Sequence, residues 1–146
     1  MTISSDTLIL HLRIVGLVMA SLVLINLHVP ARFHWREELS RLSLLNRQIF
    51  QAHSVFLVLV LGLFSALLLT SAADLLEPTR LSRAVLTGLT IFWGLRMVMQ
   101  WFFYSPEIWR GNRFNTVMHY VFSVTWIYVT AVFAASLWST LSNNAQ

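Results

Sequence analysis

Asn46-Arg47-Gln48-Ile49-Phe50-Gln51-Ala52-His53-Ser54-Val55-Phe56 opens a long apolar segment. A related stretch, Asn112-Arg113-Phe114-Asn115-Thr116-Val117-Met118-His119-Tyr120-Val121-Phe122, opens another 66 positions later. Both read Asn-Arg, five residues, then His-x-Val-Phe. Each sets a histidine six residues past an arginine, which is ~9 Å along a helix rising ~1.5 Å per residue. The apolar runs that follow reach the ~20 residues needed to cross a bilayer. Two membrane helices with matching starts are therefore the frame of the fold.

Composition agrees with that frame. The chain has 146 residues, 57% of them hydrophobic and only 11% charged, with a mean hydropathy of +0.68. A soluble domain carries about twice that charge fraction. There is no cysteine, which excludes disulfides, thiolate nucleophiles, thiolate-held zinc and iron–sulfur clusters. All cationic side chains are arginine, so no lysine Schiff base can form. The net charge of +4 sits beside apolar segments and reads as a topology signal rather than as nucleic-acid binding. No Ser-His-Asp set, phosphate-binding loop or glycine-rich dinucleotide turn occurs.

Working outward, four spans are expected at about 7–29, 47–71, 81–104 and 113–140. Pro30 should stop the first. No small-residue cleavage site follows that span, so it is expected to stay as an anchor. Residues 31–45 alternate Leu39, Leu42 and Leu45 with Arg and Glu, the pattern of a short helix lying on the membrane surface. Asn46 and Asn112 are expected to cap the second and fourth spans. Small-residue pairs such as Gly16/Ala20, Gly62/Ala66 and Ala84/Gly88 mark faces where helices can approach closely. The expected fold is all-α: one polytopic domain, an antiparallel bundle of four transmembrane helices. The recurring motif makes it two duplicated helical hairpins, with a short interfacial helix in the first loop.

Orientation follows from the arginines. Arg32, Arg36, Arg41, Arg47, Arg110 and Arg113 flank the first and third loops, against Arg13, Arg80 and Arg83 on the other side. The excess places those two loops in the cytoplasm and both termini outside, in a membrane of the bacterial inner-membrane kind.

The chemistry gathers in the cytoplasmic half. His53 and His119 lie at matching depth, and His28 lies near the same end of the first span. Arg96, Gln100 and Tyr104, at i, i+4 and i+8, form one stripe of the third span. An ionisable side chain inside a span is costly and marks a functional site by default. No Asp or Glu lies within any span to pair with Arg96. The plain alternative for Arg96 is snorkelling to the surface, and for any single histidine a local structural hydrogen bond.

Three ligand chemistries fit. The first is a haem b held by His53 and His119, with Arg96, Arg47 or Arg113 meeting the propionates. That arrangement resembles the membrane cytochromes b, in which facing helices supply paired histidines, and it implies electron transfer. The second is a single iron, copper or zinc ion on His53, His119 and His28. The third is a quinone or lipid headgroup held by the histidines, Gln100 and Tyr104, with Arg96 as the anion contact. A non-catalytic subunit of a larger membrane complex, or a homo-oligomer, is the reading in which the same side chains only hold helices together. Membrane lipid is the partner common to all of these.

Overall fold

The computed structural model describes residues 4–32, 34–105, 107 and 109–142. Among them the chain is helical, without strands. The order is α1 (Ser5–Arg32), α2 (Trp35–Ser40), α3 (Leu44–Thr70), a 3-10 turn at Asp74–Leu76, α4 (Arg80–Phe102) and α5 (Arg113–Ser142). The four long helices are each long and apolar enough to cross a membrane. Their outward surfaces carry large apolar side chains such as Leu17, Leu59, Leu63, Leu95 and Trp138. Apolar surface on that scale belongs against lipid rather than water.

The helix ends explain themselves locally. Pro30 does not stop α1, which runs on to Arg32. The proline leaves the Asn26 carbonyl without its helical donor and crowds it, and the helix continues for only two residues beyond it. The cap of α3 is Ser43, whose Oγ accepts from the Asn46 amide at 3.4 Å; Asn46 lies inside the first turn. Asn112 does cap α5, its Oδ1 accepting from the Asn115 amide at 3.2 Å. The connector helix is six residues long. Its Glu37 and Glu38 both reach Arg41 at 4.0 Å, exposed pairs worth little on their own.

Thr79 caps α4. Its Oγ1 accepts from the Ser82 amide at 3.0 Å. Ser82 Oγ in turn donates to the Asp74 carbonyl at 3.0 Å, tying the 3-10 turn to the helix start. Thr79→Ala is expected to cost about 1 kcal/mol, read as a lowered thermal midpoint in detergent. Thr79→Ser should restore it.

The chain divides into two compact units. In the Leu12–Ala72 unit, Leu12, Val15, Met19 and Leu22 form the buried stripe of α1, at the i, i+3, i+7 spacing of one helix face. Leu61, Ser65 and Leu68 do the same for α3. Ser65 Oγ donates to the Gly16 carbonyl at 2.9 Å. A Cβ placed on Gly16 would lie 3.0 Å from Leu69 Cγ and 3.2 Å from Leu68 Cβ. Gly16 is thus where the α1 and α3 backbones come close.

The other unit comprises the residues up to His11 and those from Ala73 onward. Here α4 and α5 pack along each other, with the 3-10 turn against both. The buried stripe of α4 is Ser82, Leu86, Leu89, Trp93 and Gln100. That of α5 runs from Ser123 and Trp126 to Ser136 and Thr140. Arg83 Nη2 donates to the Thr140 carbonyl at 2.9 Å, a cation on the free acceptors of a helix C-terminus. At the opposite end Gly111 takes φ +84° in the turn before α5, a conformation that glycine adopts without strain. Gly62 and Gly88 differ from expectation. A Cβ on either would meet nothing within 4 Å, so neither glycine marks a close approach of helices.

Candidate functional site

The unit of α4 and α5 assembles a polar cluster from residues near the end of α4 and the start of α5. Arg96 and Gln100 stand one turn apart on α4, and His119 stands two turns into α5. Arg96 Nη1 donates to Gln100 Oε1 at 3.1 Å. Gln100 Nε2 lies 3.1 Å from His119 Nδ1. Gln100 is only 5% exposed, while Arg96 and His119 are half-buried.

The direction of these bonds is decided by chemistry. A guanidinium only donates. The Gln100 atom facing it must therefore be the oxygen, and the amide nitrogen must face His119. An amide nitrogen only donates as well, so His119 Nδ1 accepts and the ring proton sits on Nε2. The relay from Arg96 through Gln100 thus presents His119 Nε2–H as a donor.

Aromatic rings enclose the cluster. Trp109 stacks on His119 with ring centroids 4.4 Å apart and planes 5° from parallel. Thr116 Oγ1 donates to the Trp109 carbonyl, pinning the connecting loop to α5. The Arg96 guanidinium lies 5.0 Å from the centroid of Trp126 and 5.8 Å from that of Tyr104, close enough for cation–π attraction. Trp126 stacks on Trp93 at 5.1 Å and on Phe122 at 5.8 Å. Among the described residues, no carboxylate comes within ion-pair distance of Arg96.

Most of the remaining polar atoms are donors, the Tyr104 hydroxyl and the second lone pair of Gln100 Oε1 excepted. Arg96 has donors beyond the one spent on Gln100, and His119 has Nε2–H. The indole nitrogens of Trp109 and Trp126 are buried without a hydrogen-bond partner, and an indole N–H only donates. The cluster is a donor-rich set carrying one positive charge, walled by flat rings. What it can hold is a ligand rich in oxygen acceptors with a planar head.

No protein-family model, curated protein or solved structure matches this chain.

His53 is exposed on α3, with Nδ1 2.8 Å from the Ile49 carbonyl. His28 is exposed on α1, with Nδ1 2.8 Å from the Leu24 carbonyl. Both belong to the Leu12–Ala72 unit. Arg47 is half-buried near the start of α3, and Arg113 is exposed as the first residue of α5. His34 precedes α2 with φ 49°. His11 bonds to Tyr128 Oη at 2.8 Å. Among the described residues no group of three His, Cys, Asp or Glu side chains is placed to share a metal ion.

Reading the sequence alone finds Arg96, Gln100, Tyr104 and His119, and the structure adds Trp109 and Trp126. A signal for Trp126 exists. It lies seven residues after His119, on the same face of α5, as Trp93 lies three before Arg96 on α4. Nothing comparable marks Trp109, whose position depends on the loop.

Proposed function

We propose that this protein is an integral membrane protein that binds a quinone headgroup at Arg96, Gln100, His119 and Trp126. The observation that carries the reading is the donor-rich, positively charged, aromatic-walled cluster. A quinone has two carbonyl acceptors on a flat ring and an isoprenoid tail that partitions into lipid. Its carbonyl would accept from Arg96 or His119 Nε2–H, bonds to a charged group being the stronger kind, and its ring would lie against the edges of the aromatic wall. A redox role in the membrane then follows from the ligand's chemistry. The wider picture is an antiparallel four-helix bundle of two duplicated hairpins. The arginine-rich first and third loops face the cytoplasm, and both termini lie outside.

The test uses the tryptophans at the site. A short-tailed quinone titrated into the detergent-solubilised protein should quench intrinsic fluorescence saturably. Arg96→Leu should weaken that binding about tenfold or more, since a bond to a charged donor is worth ~1.5–3 kcal/mol. Linear quenching that is identical in both proteins would sink the reading.

A haem b or a single iron, copper or zinc ion is the second reading, and a specific observation favours it. His53 and His28 each direct Nδ1 at a backbone carbonyl, so Nδ1 donates and the Nε2 lone pair points away. That is the tautomer of a metal-ligating histidine. His119 has the opposite tautomer and would have to release Gln100 first. A Soret band in the purified protein, lost in His53→Ala, would replace the quinone reading with this one.

A further inference from the structure

A second site lies in the Leu12–Ala72 unit, apart from the residues of the quinone reading. The end of α1, the connector helix α2 and the first three turns of α3 line a groove of about 660 Å3. Its polar wall carries Arg36, Arg47, Gln48 and Gln51. Its apolar wall carries Trp35, Leu39 and Val55. Trp35 meets Phe50 edge-to-face at 4.8 Å, which fastens α2 to α3 and keeps the groove formed.

Charge is what the groove lacks a match for. Both acids of α2, Glu37 and Glu38, are turned to Arg41. Among the described residues neither Arg36 nor Arg47 has an ion pair. Two guanidiniums and two amides therefore line one space, with no acidic side chain among its lining. The lining extends along the helix, and Gln51 and Ser54 accompany Val55 at its far end. Leu44 and Val55 stand eleven residues apart on α3, ~16 Å of rise, with the arginines at the α2 end and Val55 at the far end. Two arginines beside the apolar side chains of Pro30, Trp35, Leu39 and Leu44, in a groove flanking a candidate membrane span, suit an anionic head joined to an apolar chain. Basic pockets beside transmembrane helices are suited to anionic headgroups.

We propose that this groove binds an anionic phospholipid, its phosphate diester between Arg36 and Arg47 and its first acyl carbons against Leu39 and Val55. The lipid fixes the connector helix at the membrane surface.

Native mass spectrometry of the full chain in detergent tests this, with phosphatidylglycerol, phosphatidylcholine of the same acyl chains, and inorganic phosphate as probes. One phosphatidylglycerol should be retained saturably, at least tenfold more tightly than phosphatidylcholine. The double variant Arg36→Gln/Arg47→Gln should lose it at least tenfold. Gln48→Glu, which adds a negative charge to the same wall, should do likewise. Arg41→Gln, whose charge is already matched, should retain it. Quinone quenching should be unchanged in all three, which separates this proposal from that reading and verifies folding. Equal retention of the two lipids would overturn the proposal. So would displacement by millimolar phosphate, which would mean a free-anion site. Equal loss in Arg41→Gln, or a dimer mass that the double variant abolishes, would overturn it too, the latter by naming a second copy as the occupant.

Discussion

Gln100→Glu is expected to leave the protein folded and to abolish ligand binding at the α4–α5 cluster. The two residues are nearly isosteric, so the buried position is filled as before. A carboxylate accepts from Arg96 at least as well as the amide oxygen does. His119 can shift its proton to Nδ1 and donate to the second carboxylate oxygen. Both changes remove what the ligand needs. The charge of Arg96 is neutralised, and His119 Nε2 becomes an acceptor. Affinity for a quinone should fall tenfold or more, while the thermal midpoint holds or rises. Gln100→Leu separates the roles, since it strands the donors of Arg96 and the Nδ1 of His119 in a site where Gln100 is 5% exposed. Each stranded group costs about 1–3 kcal/mol when fully buried, and Arg96 and His119 are only half-buried, so this variant should lose about 2–4 kcal/mol of stability along with its ligand. A Gln100→Leu protein as stable as the parent would mean that the relay does not bridge the two helices.

Gly16→Val should be the most damaging substitution in the Leu12–Ala72 unit. A Cβ there already meets Leu68 Cβ at 3.2 Å and Leu69 Cγ at 3.0 Å. Leu69 is partly exposed and can swing aside, but Leu68 is 0% exposed and its Cβ is tied to the α3 backbone. A branched side chain must push the helices apart. Overpacking of this kind costs about 1–3 kcal/mol. The Ser65 bond to the Gly16 carbonyl would be stretched too, at about 0.6 kcal/mol or more within a membrane. Lipid tails are as apolar as leucine, so no hydrophobic term draws the separated helices back. Denaturation in mixed micelles should show the loss. Gly62→Ala and Gly88→Ala are the controls. Neither Cβ meets an atom within 4 Å, and alanine is the better helix former by about 1 kcal/mol, so both should be neutral or stabilising. Equal losses at all three glycines would show that helix flexibility, not contact, sets the effect.

The elements were largely legible because lipid imposes simple rules. Four runs of apolar residues mark four helices, and the Arg96, Gln100 and Tyr104 stripe follows from helical spacing alone. His119 joins that stripe because its depth along α5 matches. Three things were not legible, each for a physical reason. Ser43 rather than Asn46 caps α3, because either residue type can accept from an amide and only the turn geometry chooses. The small-residue pattern does not distinguish Gly16 from Gly62 and Gly88, because a glycine's partner lies on another helix. Trp109 reaches His119 through a loop whose path depends on Gly111 and on the Thr116 hydroxyl.

The long helices are unequal. α1, α3, α4 and α5 have 28, 27, 23 and 30 residues, or ~42, ~40, ~35 and ~45 Å at ~1.5 Å per residue. The hydrocarbon core they cross is ~30 Å thick. Three of them have turns to spare, which tilting or emergence into the headgroups absorbs. The shortest, α4, has the least slack, and Gln100 lies two residues from its end. In a thicker bilayer that end sinks toward hydrocarbon, carrying Arg96 away from water. In a thinner one it rises into the hydrated layer. The depth and wetness of the cluster are then properties of the surrounding lipid as much as of the chain, and membrane thickness becomes a variable that tunes the site.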